Sequence, residues 1–395
     1  MTLNLLISDD ASLRAAGRGP VEMVEIKGVG HPDSICDALA EAVGQQLSRY
    51  YQANFGRMLH YNVDKALLRG GVSSARFGAG EILEPIDLYL AGRAVRSFAG
   101  KTIPIGAMVQ ATCTEWLTKS IHALNPNKHV RIHDLIRPGS GDLRDLFERG
   151  HAAPRANDTS FGTGYAPLSL LERSVLAAEA FLAKGLSRDQ YREVGEDTKI
   201  MGLRRGERLE MIVACAFIGQ YLTSIDDYLA AKEALRKALV SHLKEVTGRD
   251  IAVVVNDGDD PQSGSVFLTV TGTSAEHGDD GEVGRGNRVN GMITPYRPMS
   301  LEAHAGKNAR THVGRIYNFV AQKIAAAVVA EVAEAAAAEC YLVGKIGAQI
   351  TDPWAVDLRV EAKVGLLSKS ARSLMQAIVE RELGSNPSPG TSWLP

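Results

Sequence analysis

Apolar residues recur at helical spacing in four stretches of the chain. Over 37–51, Ala38, Leu39, Ala42, Val43 and Leu47 fall on one face and predict a helix. Similar stripes predict helices over 170–183 and 226–246. The longest pattern, 313–339, ends in a run of Ala, Glu and Val that suits a helix by propensity. Strands are predicted where apolar and β-branched residues cluster between turn signals, over 58–68, 86–95, 251–255 and 265–271. The apolar segment 209–221 fits either element. The head, to about Pro20, has little pattern. The stretch 125–167, rich in Gly, Pro, Asn, Asp and His, predicts a long functional loop, and the last dozen residues a loose tail. Helices and strands are interspersed, so the expected class is mixed α/β (α+β).

Composition narrows what such a fold is for. The 395 residues, 45% apolar and 23% charged, suffice for two or three cores and exclude wholesale disorder. Forty-four basic residues against 46 acidic ones leave a net charge of −2. That balance excludes a nucleic-acid or membrane binder held by bulk charge. Cys36, Cys113, Cys215 and Cys340 lack CxxC spacing, so buried, reduced thiols are expected. The chain has no signal-peptide core and no charge-free run of membrane-spanning length, which together predict a soluble cytoplasmic protein.

Chemistry concentrates in a few polar strings. EIKGVGHPDSICD, 25–37, sets two glycines and Pro32 before a helix start. Free amides there suit a phosphate, His31 adds a donor, and Asp33 is a hard oxygen ligand of the kind Mg²⁺ prefers. A plain helix cap is the competing reading. GDDGEVGRGNR, 278–288, interleaves carboxylates, arginines and glycines with almost nothing to build a core. Metal and phosphate chemistry explains that mixture better than a solvated acidic loop does. Gly306-Lys307 reads as a flexible turn able to deliver an ammonium, without the Walker A spacing. RPGSGD, 137–142, and NDTSFGTGYAP, 157–167, read as turns or as substrate loops. Lys199, in GEDTK, opens a predicted strand.

Taken in order, GHPDSICD, NDTSFGTGYAPLS, VGEDTK, GDDGEVGRGNRVNG, AGKNARTHVG and YLVGKIGAQITDP resemble the S-adenosylmethionine synthetases, in the wording of the archaeal-type branch. The resemblance implies an enzyme joining ATP to L-methionine with release of triphosphate, which the same site then hydrolyses to phosphate and pyrophosphate. It implies three similar α/β units around a pseudo-threefold axis, interleaved in sequence. Their approximate blocks are 21–135, 136–275 and 276–388. A homodimer with packed sheets and active sites between subunits follows too, as do two Mg²⁺.

Residue by residue, the resemblance makes His31, Lys199, Arg285 and Lys307 the catalytic groups along the polyphosphate. Asp33 and Asp279 become metal carboxylates. Glu25 and Asp158, beside Asn157, hold the nucleoside or the methionine ammonium, and Ile346 lines the methionine side. Arg137, Pro138, Gly139, Ser140, Gly141 and Asp142 match a loop over the substrates. Three departures stand out. Gly286 follows Arg285 where widespread members carry Lys, and Arg288 is the candidate to compensate. Thr311, His312 and Val313 occupy the place of a metal carboxylate. Val72 replaces a substrate-binding Glu, with Lys65 in the same strand as an alternative contact. Many members also use K⁺, but the glutamate of that site has no match around His60 to Asn62. Other readings of the same strings are a Mg²⁺-dependent kinase or triphosphatase, or a nucleotide-binding module without catalysis.

Overall fold

The computed structural model describes residues 3–11, 13, 19–141, 147, 153–187 and 189–385. The predicted tail falls almost wholly beyond them, and Asp142 also lies outside them. The described residues form a mixed α/β fold with three main sheets, each drawing strands from distant parts of the chain. The first orders Leu5–Asp9, Ala355–Ala362, Ala335–Val343 and Phe161–Ala166, under helices Val313–Glu331 and Lys369–Gly384. The second orders Ile251–Val255, Arg208–Ile218, Val194–Arg205 and Val21–Lys27, with helices Leu170–Ala180 and Ile225–Thr247. The third orders Gly281–Glu282, Tyr61–Arg69, Ile86–Ala94 and Val130–Arg137, with helices Pro32–Phe55 and Ile105–Ser120. The four cysteines are buried and free, as expected.

In each sheet one side of the strands faces its helices and the other is left open. Alternation makes this plain: Met211 and Val213 are in the core while Ile212 is exposed, and Leu68 is buried beside an exposed Leu67. The open side of Val21–Lys27 carries Glu25 and Lys27. There Lys27 pairs in register with Lys199 of the neighbouring strand. Two site strands therefore present their charged residues on the side away from the helices, where the 285–287 loop covers Lys27.

Four expectations change. The head forms strand Leu5–Asp9, parallel to Ala355–Ala362. The supposed loop at 125–167 contains helical turn Pro126–His129 and strands Val130–Arg137 and Phe161–Ala166. The glycines that signal a loop there are packing glycines. A Cβ on Gly162 would sit 2.1 Å from the Tyr317 carbonyl carbon, and one on Gly164 2.2 Å from the Gln322 nitrogen, so the helix lies directly on the strand. The long helix stops at Glu331, and Ala335–Val343 is a strand paired on both sides, where sheet contacts override the helix preference of alanine. Of the strand predicted over 265–271 only Leu268–Thr269 forms, and the ambiguous 209–221 becomes strand Arg208–Ile218.

Candidate active site

Helix Pro32–Phe55 begins where His31 Nδ1 accepts the Asp33 amide at 3.2 Å and Pro32 fills the first turn. Nδ1 is thus an acceptor and Nε2 carries the proton. Burial first, and then the Lys27 charge, lower the His31 pKa to about 4, while Asp33 and Asp279 pull the other way. His31 is therefore neutral near pH 7, with an N–H at Nε2 left to donate.

Asp33 is gripped from two sides. Its Oδ2 lies 2.9 Å from Lys27 Nζ, and its Oδ1 accepts the Glu282 amide at 2.9 Å. Burial works to raise its pKa, but Lys27 and the Glu282 amide outweigh it and hold the carboxyl below its usual range. One turn on, Asp37 Oδ1 accepts the Gly284 amide at 2.7 Å. The helix start and the 278–288 loop are thereby stitched together. Asp279 joins through Ser274, whose hydroxyl stands 3.0 Å from Asp279 Oδ2 and 2.6 Å from Asp197 Oδ2. Asp197 is buried and pushed up to about 7, chiefly by burial and against the Ser274 hydrogen bonds. Lys199 completes this group, 3.3 Å from Glu25 Oε1.

The three cations of the loops differ in what they are free to do. Arg285 is exposed on a cavity of about 1210 Å³, and its guanidinium has no hydrogen bond or ion pair among the described residues. Arg288, the candidate substitute cation, is spent on structure: it donates to the carbonyls of Gly284, Gly286 and Ser300. Lys307 is not on a flexible turn. Its side chain is 4% exposed on the cavity wall, with Nζ 2.7 Å from Asp64 Oδ2 and 2.5 Å from Glu302 Oε1. Lys65, 67% exposed, leans on the other Asp64 oxygen at 2.8 Å. His312, buried beside this group, is lowered to about 4 by burial and then by Lys307.

Arg315 holds the Lys307 loop in place. Its two terminal nitrogens meet the Glu41 carboxylate at 2.5 and 2.9 Å in the interior, and Nη1 also reaches the His304 and Lys307 carbonyls. Arg315→Met should strand the Glu41 charge and cost about 3–5 kcal/mol of stability. Denaturant titration reads this directly, and an unchanged midpoint would contradict it.

Of the predicted residues, Arg285, Lys307 and Lys65 line the cavity; His31, Asp33, Asp279, Glu25 and Lys199 do not, and the link between the two runs through Lys27 Nζ to the Arg285 carbonyl at 2.7 Å. Asp158 is exposed and binds its neighbour, the Thr159 amide, at 2.7 Å, while Asn157 bonds through its backbone to Thr311. Ile346 is half exposed, and its amide donates to Thr159 Oγ1 at 3.1 Å, so Asp158 and Ile346 lie together. They connect to the cavity through Ser160, which donates to Glu302 at 3.2 Å. Arg137 ends its strand, and Pro138, Gly139, Ser140 and Gly141 follow, with the Pro138 carbonyl accepting from Arg93 at 3.4 Å. Sequence reasoning passed over Lys27, Asp64 and Asp197. Only the Glu-x-Lys alternation at 25–27 and the carboxylate within GEDTK signalled two of them.

Asp33, Asp279, His31, Lys27, Lys199 and Glu25 thus form one cluster of hard oxygen donors and nitrogen donors, tied through Lys27 to the carbonyl of Arg285, whose guanidinium is uncommitted among the described residues. No trio of His, Cys, Asp or Glu among the described residues could hold a metal alone. Two carboxylates without a closed cage suit Mg²⁺, which keeps waters and shares substrate phosphates. The site residues therefore fit that ion.

The family model described as S-adenosylmethionine synthetase (AdoMet synthetase) matches residues 6–388. A probable S-adenosylmethionine synthase of Aquifex aeolicus is 48% identical over 93% of this chain and 92% of its own length. An S-adenosylmethionine synthase of Hyperthermus butylicus is 44% identical over 96% of this chain and 95% of its own. An unusual S-adenosylmethionine synthetase structure from Campylobacter jejuni shares the fold, with a TM-score of 0.62 at 14% identity over 92% of this chain and 88% of that one. Over residues 6–388, then, this chain belongs to the S-adenosylmethionine synthetase family.

Proposed function

We propose that the chain makes S-adenosylmethionine from ATP and L-methionine and hydrolyses the released triphosphate to phosphate and pyrophosphate before release. The observation that carries this reading is the exposed Arg285, its guanidinium without a partner among the described residues, joined through Lys27 to the His31–Asp33–Asp279–Lys199 cluster. The methionine sulfur displaces triphosphate at C5′, so negative charge grows on the leaving oxygens as the C–O bond breaks. Preorganised donors lower that barrier. Lys199 and Arg285 supply charge, and neutral His31 supplies a hydrogen bond from Nε2. Sulfur is already a good nucleophile, so positioning replaces a general base. Mg²⁺ held by Asp33 and Asp279 would neutralise the polyphosphate oxygens.

Leu67, Leu135, Ile212 and Val254, each over 40% exposed on open sheet faces, supply an apolar surface for a homodimer. Pairing there is how Asp158 and Ile346, off the cavity in one chain, would reach a site between subunits. Sedimentation should find a dimer, and a fully active monomer would end this part of the reading. Among the described residues no helix is long and apolar enough to cross a membrane. The test of function is purified protein with ATP, Mg²⁺ and methionine, products resolved by mass. Methionine-dependent S-adenosylmethionine is expected. Methionine-independent phosphate release would replace this reading with a kinase or triphosphatase, and binding without turnover would replace it with an inactive module.

A further inference from the structure

The loop that carries Arg285 has room for no second cation. A Cβ on Gly286 would stand 2.1 Å from Asp37 Oδ2, and that carboxylate is itself fixed by the Gly284 amide. Any side chain at 286 would break the stitch between loop and helix. Arg288, the next basic residue, is consumed by three backbone carbonyls. A tetra-anionic leaving group next to one arginine needs more positive charge than this loop provides.

The charge arrives from elsewhere. Lys27, last residue of strand Val21–Lys27, sends Nζ across to the Arg285 carbonyl at 2.7 Å and to Asp33 Oδ2 at 2.9 Å. An ammonium has three donors. The remaining one has no hydrogen-bond partner among the described residues, since Glu25 Oε1 stands off at 3.8 Å. The backbone around it is pinned twice by Asn287, which accepts the Lys27 amide at 2.9 Å and donates to its carbonyl at 2.8 Å. The side chain is 10% exposed, so its charge is poorly screened and its position is fixed. In the sheet it stands opposite Lys199.

We propose that Lys27 is a polyphosphate-binding residue of this enzyme, supplying from the neighbouring strand the second cation that Gly286 cannot carry. The proposal rests on the reading of the Arg285 loop as the polyphosphate site. A bound triphosphate oxygen takes the open third donor, while the bond to the Arg285 carbonyl keeps ammonium and guanidinium at a set spacing.

Lys27→Met and Arg285→Met are compared with the unaltered enzyme by calorimetric titration with two probes. These are inorganic tripolyphosphate with Mg²⁺, and S-adenosylmethionine alone, which has no phosphate. Lys27→Met should weaken tripolyphosphate at least tenfold and leave S-adenosylmethionine within about threefold. Equal loss of both ligands would make Lys27 a structural residue only and overturn the proposal, as would unchanged tripolyphosphate binding. If Lys27→Met does not fold, Lys27→Gln, which keeps a donor for the Arg285 carbonyl without the charge, faces the same two outcomes. Arg285→Met separates the layers. If it loses tripolyphosphate and the Lys27 variants do not, the inference on Lys27 fails alone. If neither position matters, the site reading itself falls.

Discussion

Replacing Asp33 with Asn is expected to cut S-adenosylmethionine formation about 10³-fold, roughly 4 kcal/mol of lost transition-state stabilisation, while the fold survives. The amide keeps an oxygen to accept the Glu282 N–H, so the stitch to the 278–288 loop persists. What disappears is the charge that a divalent cation needs, and with it the partner of Lys27. Asp279→Asn should behave alike through its own carboxylate, because the Ser274 contact survives on the amide oxygen. The checks are a Mg²⁺ titration of activity and a melting curve without ligand. Near-normal activity of both variants at limiting Mg²⁺ would remove these two carboxylates from the metal. A collapsed melting temperature would show that Asp33 is chiefly a helix-start residue.

Arg285→Leu is expected to separate the two half-reactions. Displacement at C5′ spreads charge over the whole triphosphate, whereas hydrolysis focuses it on one phosphoryl group whose bond to pyrophosphate loosens. A planar guanidinium suits that second task, and arginines in such positions are worth about 10³-fold or more. Arg285 is the loop cation whose guanidinium is uncommitted among the described residues, which is why the effect should fall on it rather than on Arg288. Triphosphate should accumulate on the enzyme after the first turnover, visible in a rapid-quench experiment. Equal slowing of both steps with no accumulation would reduce Arg285 to a binding residue.

How much of this was readable beforehand depended on whether a group's partners lie near it in the chain. The HPD string and the 278–288 loop announce themselves because their polar residues are consecutive, and the structure ties them together through Glu282 and Gly284 amides. Lys27 does not announce itself. On an alternating strand a Glu-x-Lys pair reads as a wet face, and only the reach of Lys27 to the Arg285 carbonyl, 258 residues away, sets it apart. Lys307 reads as mobile because Gly306 precedes it, yet its carboxylates arrive from 243 residues upstream at Asp64 and from nearby Glu302. Strand Phe161–Ala166 was hidden by its own glycines, and Ala335–Val343 by alanines that also serve helices. In each case local preference was real and a distant partner outvoted it.

The contact of Gly162 and Gly164 with helix Val313–Glu331 has a consequence for how this cavity can evolve. The strand is preceded by the loop holding Asp158 and Ser160, and the helix by the loop holding Lys307 and His312. Main chain riveted to main chain fixes the gauge between those two loops, with no pliable side chain in between to absorb error. A methyl group at either glycine would act as a shim, prising both loops apart together. Variants accepting a bulkier sulfur nucleophile should therefore arise by trimming the loop side chains, with this rivet left untouched.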